Sequence, residues 1–123
     1  MPNKTMHRAR GANAAVEDYL ASCGEKGHPP DIVTMVAVAW LGGVAGNLPD
    51  YLDDPARGPS HRGWAHSLEA YGFLHGLYIK ARKEGRTVEA AVLRAAMTHH
   101  EEDAQTPAGL PSLLEILFRR FFN

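Results

Sequence analysis

At 123 residues, with 45% hydrophobic residues, 22% charged residues and a formal net charge of -1, the chain has the size and make-up of one globular domain, 1–123. The near-neutral balance excludes a general attraction for nucleic-acid phosphates or anionic lipid. Cys23 stands alone, which excludes an intrachain disulfide and a thiolate metal cluster and fits a reducing, cytoplasmic setting.

Periodicity predicts an all-α fold, a compact bundle of about five helices with no strand. The segment Met1–Arg10 lacks the apolar core of a signal peptide. The first helix is expected from Thr5 to Cys23, with Met6, Ala9, Ala12, Val16, Leu20 and Cys23 on one face and the stretch Gly24–Gly27 ending it. Asp31, after Pro29 and Pro30, is the expected N-cap of the second helix, which fades at Gly42-Gly43 or at Gly46. No charge falls between Asp31 and Asp50. The interruption by Thr34, Asn47, the glycines and Pro49 makes this a buried core helix rather than a membrane span.

A loop follows from Asn47 to Gly63, with three prolines, two glycines, three aspartates and His61. Loops of that length in small domains are commonly functional. The third helix is expected over Trp64–Glu84, with Leu68, Tyr71, Leu74, Tyr78 and Ile79 as its core stripe and Gly85 closing it. Thr87 is expected to cap a fourth helix running to Gln105. After the turn Thr106–Pro111, a short final helix begins at Ser112 and ends in Phe-Arg-Arg-Phe-Phe-Asn.

The chemistry concentrates in histidine, seven residues in all, and in the loop aspartates. On the fourth helix Val88, Val92, Ala95, Ala96, His99 and Asp103 form one stripe. An imidazole and a carboxylate one turn apart on such a stripe either hydrogen-bond each other or hold a metal together. A small rotation would present His100 and Glu102 instead. His61, on the loop, and His66, on the first turn of the third helix, are placed to converge on one ion, with Asp50, Asp53 and Asp54 just upstream. His75 lies half a turn away from His66 and, like His28, reads as structural or surface.

The blocks Gly46-Asn-Leu-Pro-Asp50, His61-Arg-Gly-Trp-Ala-His66-Ser67 and His99-His-Glu-Glu-Asp103-Ala-Gln-Thr106-Pro-Ala-Gly109 resemble those of the YdjM-type metal-dependent hydrolases of bacteria and phages. His7-Arg-Ala-Arg-Gly11 is similar to their N-terminal His-x-x-x-Gly, so the resemblance runs from residue 7 to residue 109. It implies metal ligation by His7, Asp50, His61, His66, His99 and Asp103, association with the inner membrane face, and a distant likeness to zinc-dependent phospholipase C. Two departures stand out. Leu52 occupies a position where the family commonly has a second acid, and the chain lacks the family's several membrane-spanning segments.

The donor set suits one or two divalent ions, zinc first, with manganese, iron or nickel as alternatives. The expected site lies where helix ends meet the 47–63 loop. The expected function is a metal-dependent hydrolase, a phosphoesterase acting through metal-activated water on a small-molecule or phospholipid-like phosphoester. Asp50 would bridge or activate, Arg62 contact a phosphate, and Glu102 serve as general base. The alternative is a non-catalytic, metal-stabilised module that binds a protein partner through the apolar C-terminal stretch Leu113–Phe122. Contact of that stretch with a membrane surface through Arg119 and Arg120 is a further option. Neither the charge balance nor an aromatic–basic patch supports a nucleic-acid substrate.

Overall fold

The computed structural model describes residues 4–48 and 67–104, apart from the side chains of Lys4 and Asp103. Within them the chain forms four helices: α1 (Lys4–Lys26), α2 (Ile32–Gly46), α3 (Leu68–Lys83) and α4 (Thr87–Ala104). They run alternately up and down, and α4 packs against each of the other three. The final helix expected from Ser112 and most of the loop expected over 47–63 lie outside the described residues.

The helix ends follow local chemistry. Asp31 caps α2, its carboxylate accepting from the backbone N–H of Thr34 at 2.9 Å. Ser67 caps α3 by accepting from Ala70 N–H at 3.0 Å, so α3 starts at Leu68 and not at Trp64. Gly27 and Gly85 end α1 and α3 in the left-handed region, at φ 70° and 74°. His28 N–H then reaches Cys23 O at 2.9 Å, and Arg86 N–H reaches Ala81 O at 2.9 Å, satisfying carbonyls at each helix end. Helix α1 therefore continues beyond Cys23 to Lys26. Thr87 does not cap α4: its hydroxyl faces the Gly85 carbonyl and accepts from Lys26 Nζ at 3.0 Å.

The buried face of α1 is offset from the expected one. His7, Gly11, Ala15, Tyr19, Ser22 and Cys23 are buried, whereas Met6, Ala9 and Leu20 are exposed. The cause is the crossing with α2, where backbones touch. A Cβ on Gly11 would lie 2.3 Å from Gly42 O, one on Gly42 would lie 2.5 Å from the Ala15 Cβ, and one on Gly46 would lie 2.3 Å from His7 O. Only glycine permits that approach. Glycines expected to weaken α2 instead define its contact face.

Helix α2 is correspondingly half buried, not a fully buried core helix. Val38, Gly42, Gly43, Ala45 and Gly46 face inward, while Ile32, Val33, Val36 and Trp40 are exposed. Leu68 and Ile79 of α3 and Val88 of α4 are also exposed, against expectation. The central position of α4 buries a band wider than one stripe, including Ala90, Ala91, Met97 and His100. Among the described residues alanine is the commonest buried apolar residue, and the two largest fully buried side chains are His99 and His100. No helix among the described residues is long and apolar enough to cross a membrane.

Candidate functional site

Alternating helix directions bring the start of α1, the end of α2, the start of α3 and the end of α4 to one end of the bundle. His7, on the second turn of α1, and His99, near the end of α4, meet there. Their rings stack with centroids 3.9 Å apart and planes 20° apart. Both are buried, at 5% and 2% exposure.

Nδ1 of each ring faces an oxygen of a neighbouring helix. His99 Nδ1 lies 3.0 Å from the carbonyl oxygen of Gly46, among the last carbonyls of α2, which lack partners within their helix. A carbonyl only accepts, so this nitrogen donates and the Nε2 of a neutral ring carries the lone pair. Metal-binding histidines are commonly held in this way by a backbone oxygen. His7 Nδ1 lies 3.4 Å from a carboxylate oxygen of Glu102, whose other oxygen is 3.0 Å from Arg10 Nε. Glu102 itself is 9% exposed. Its carboxylate thus lies between Arg10 and His7.

A second aromatic contact surrounds His100, which is 1% exposed and tilts against Tyr71 with centroids 5.8 Å apart. The Tyr71 hydroxyl donates to Glu101 at 3.2 Å, and Arg94 donates to the same carboxylate at 2.7 Å. Burial, followed by the charge of Glu101, raises the Tyr71 phenol above its ordinary range. Asn47 and Ser67, bordering the undescribed segment, are fully buried.

Of the residues expected to form the site, the structure brings His7 and His99 together with Glu102 beside them. Asp50, His61, Arg62 and His66 lie outside the described residues, as does the side chain of Asp103; Asp53 and Asp54 lie outside them too. His28 and His75 are exposed, as expected. Among the described residues no three His, Cys, Asp or Glu side chains are grouped so as to hold a metal ion.

Two contributors were missed from sequence, Arg10 and the backbone oxygen of Gly46. Arg10, three residues after His7 on the same helix side, could have been found from that spacing. Gly46 acts through its backbone oxygen, a role that its place in the block Gly46-Asn-Leu-Pro-Asp50 does not reveal. His100, named from sequence only as what a small rotation would present, is buried alongside His99. A groove of about 260 Å³ on the outer α1–α4 face is lined by Arg10, Asn13, Glu17, Thr98, Glu101 and Glu102, among others. Carboxylates outnumber its one guanidinium, which makes it a poor seat for a phosphate ester.

No family model, no curated protein and no solved structure matches the chain.

Proposed function

We propose that the chain is a metal-dependent hydrolase, a phosphoesterase whose centre unites His7 and His99 with Asp50, His61, His66 and Asp103. The observation carrying this reading is the buried, stacked imidazole pair. His99 stands out from its place on the α4 stripe and His7 from the resemblance of the motif blocks, and the two rings touch. The donor chemistry fits a borderline divalent ion such as zinc: the Gly46 carbonyl fixes the tautomer of His99, and Glu102 backs His7.

When bound, a divalent ion supplies Lewis-acid activation of water and positive charge for phosphate oxygens. Asp50 and Asp103 complete the donor set, Arg62 meets the phosphate, and Glu102 acts on His7 as a positioning residue. The ordered blocks from His7 to Gly109 are what ties this chemistry to the YdjM-type hydrolases.

Metal analysis of protein purified without chelator tests the proposal. Stoichiometric zinc or a similar ion is expected, lost in His99→Ala and His66→Ala, together with hydrolysis of a generic phosphodiester that chelation abolishes. Protein that carries no metal and gains no thermal stability from added zinc refutes it.

A second reading, a metal-stabilised module without catalysis, is favoured by the exposed apolar face of α2. It predicts the same metal content with no turnover of phosphomonoesters, phosphodiesters or phospholipids.

A further inference from the structure

The exposed side of α2 carries large apolar groups at helical spacing. Val33, Val36, Trp40 and Val44 fall within about a quarter of the helix circumference, at 76%, 65%, 70% and 41% exposure. The opposite side of the same helix is spent on the glycine crossing with α1. Singly scattered exposed leucines are ordinary, but a contiguous stripe centred on a tryptophan is not.

We infer that this α2 face is the contact surface of a homodimer, in which α2 packs antiparallel against α2 of a second copy across a two-fold axis. Three observations select that occupant. The first is area: these side chains expose roughly 500 Å² of mainly apolar surface, near the upper end for a monomer's largest patch, and two copies together reach the ~1,000 Å² that a specific interface needs.

The second is charge. No Asp, Glu, Lys or Arg lies between Ile32 and Leu48, so the face meets its own copy without like-charge repulsion. The same lack of basic residues, including in the last turn, removes the electrostatic component by which interfacial helices hold an anionic membrane. The third is arrangement. Trp40 sits mid-stripe with valines on either side, the placement of a central anchor, and an antiparallel pair sets the start of each helix beside the end of the other. The inference is independent of the metal reading.

Sedimentation velocity of the full chain at about 1–100 μM tests it, with Val36→Glu and Trp40→Ala as interface variants and Phe73→Glu as a control on the exposed side of α3. Expected are a dimer in wild type and in Phe73→Glu, and a dissociation constant at least tenfold weaker in both interface variants. Because Val36 and Trp40 project outward, far-UV circular dichroism of the variants should match wild type. If Val36→Glu does not fold, Trp40→Ala decides alone. A wild type monomeric throughout the range overturns the inference, whether or not it binds neutral vesicles. A dimer unaffected by Trp40→Ala overturns it equally.

Discussion

The imidazole of His7 lies face to face with that of His99, centroids 3.9 Å apart, and the carbonyl that accepts from His99 belongs to the helix against which His7's own backbone is pressed. Three helices are thus tied at one point. His99→Ala removes a fully buried ring together with the donor to Gly46 and is expected to cost about 3 kcal/mol in a urea melt of metal-free protein. His75→Ala, at an exposed position, should stay within about 0.5 kcal/mol of wild type.

Glycine positions should divide sharply. In Gly46→Ala the new Cβ would meet the His7 carbonyl at 2.3 Å, so the backbones must separate. A loss of about 3 kcal/mol or more is expected. Around Gly76 nothing lies within 4 Å, and Gly76→Ala should stabilise α3 by about 0.5–1 kcal/mol. Thermal melts of the two variants check both signs.

That contrast also explains what could be read in advance. The four described helices were legible because apolar periodicity and end signals such as Asp31, Gly27 and Gly85 are local. The face of α1 was not. Periodicity weighs large apolar groups such as Met6 and Leu20, whereas the α1–α2 contact is made by Gly11, Ala15, Gly42 and Gly46, which add almost nothing to a hydrophobic stripe. The same blindness misjudged α2, whose apolar weight lies on its exposed side. Within the candidate site, His99 was legible from burial logic and His7 only from motif resemblance. Glu102 was recognised as a chemical group, whereas its contact with Arg10 joins α4 to α1 across a long sequence separation that periodicity does not register.

Helix α3 is joined to α1 by polar groups: the Tyr78 hydroxyl donates to the buried Asp18, and Arg82 donates to Ser22 and to Glu25. Tyr78→Phe should therefore cost about 1–2 kcal/mol at neutral pH. The phenols of Tyr78 and Tyr71 are both raised above the ordinary 10.0, chiefly by burial and then by their carboxylate partners, Asp18 and Glu101. Their contribution is complete below pH 10. As pH rises further, the unfolded chain releases these protons first, and stability falls until the folded phenols ionise. The alkaline decline in melting temperature should be shallower in the Tyr71→Phe, Tyr78→Phe double variant.

Ser67 is both a helix cap and a border of the undescribed segment. Ser67→Ala removes the acceptor for Ala70 N–H and should cost about 1 kcal/mol. Ser67→Asp, which restores an acceptor but places a charge in a fully buried position, should not recover that loss in denaturant titrations.

The central place of α4 has a consequence for biosynthesis. Helices α1 and α2 leave the ribosome before α4, and the ring that stacks on His7 is carried by the last described helix. Until α4 emerges, the nascent hairpin exposes the surfaces that α4 will cover, among them Ala15, Val38 and Ala45. The order of translation therefore places assembly of the histidine pair late, and a chaperone or a pause in synthesis would act on a half-built bundle whose stacked rings have yet to meet.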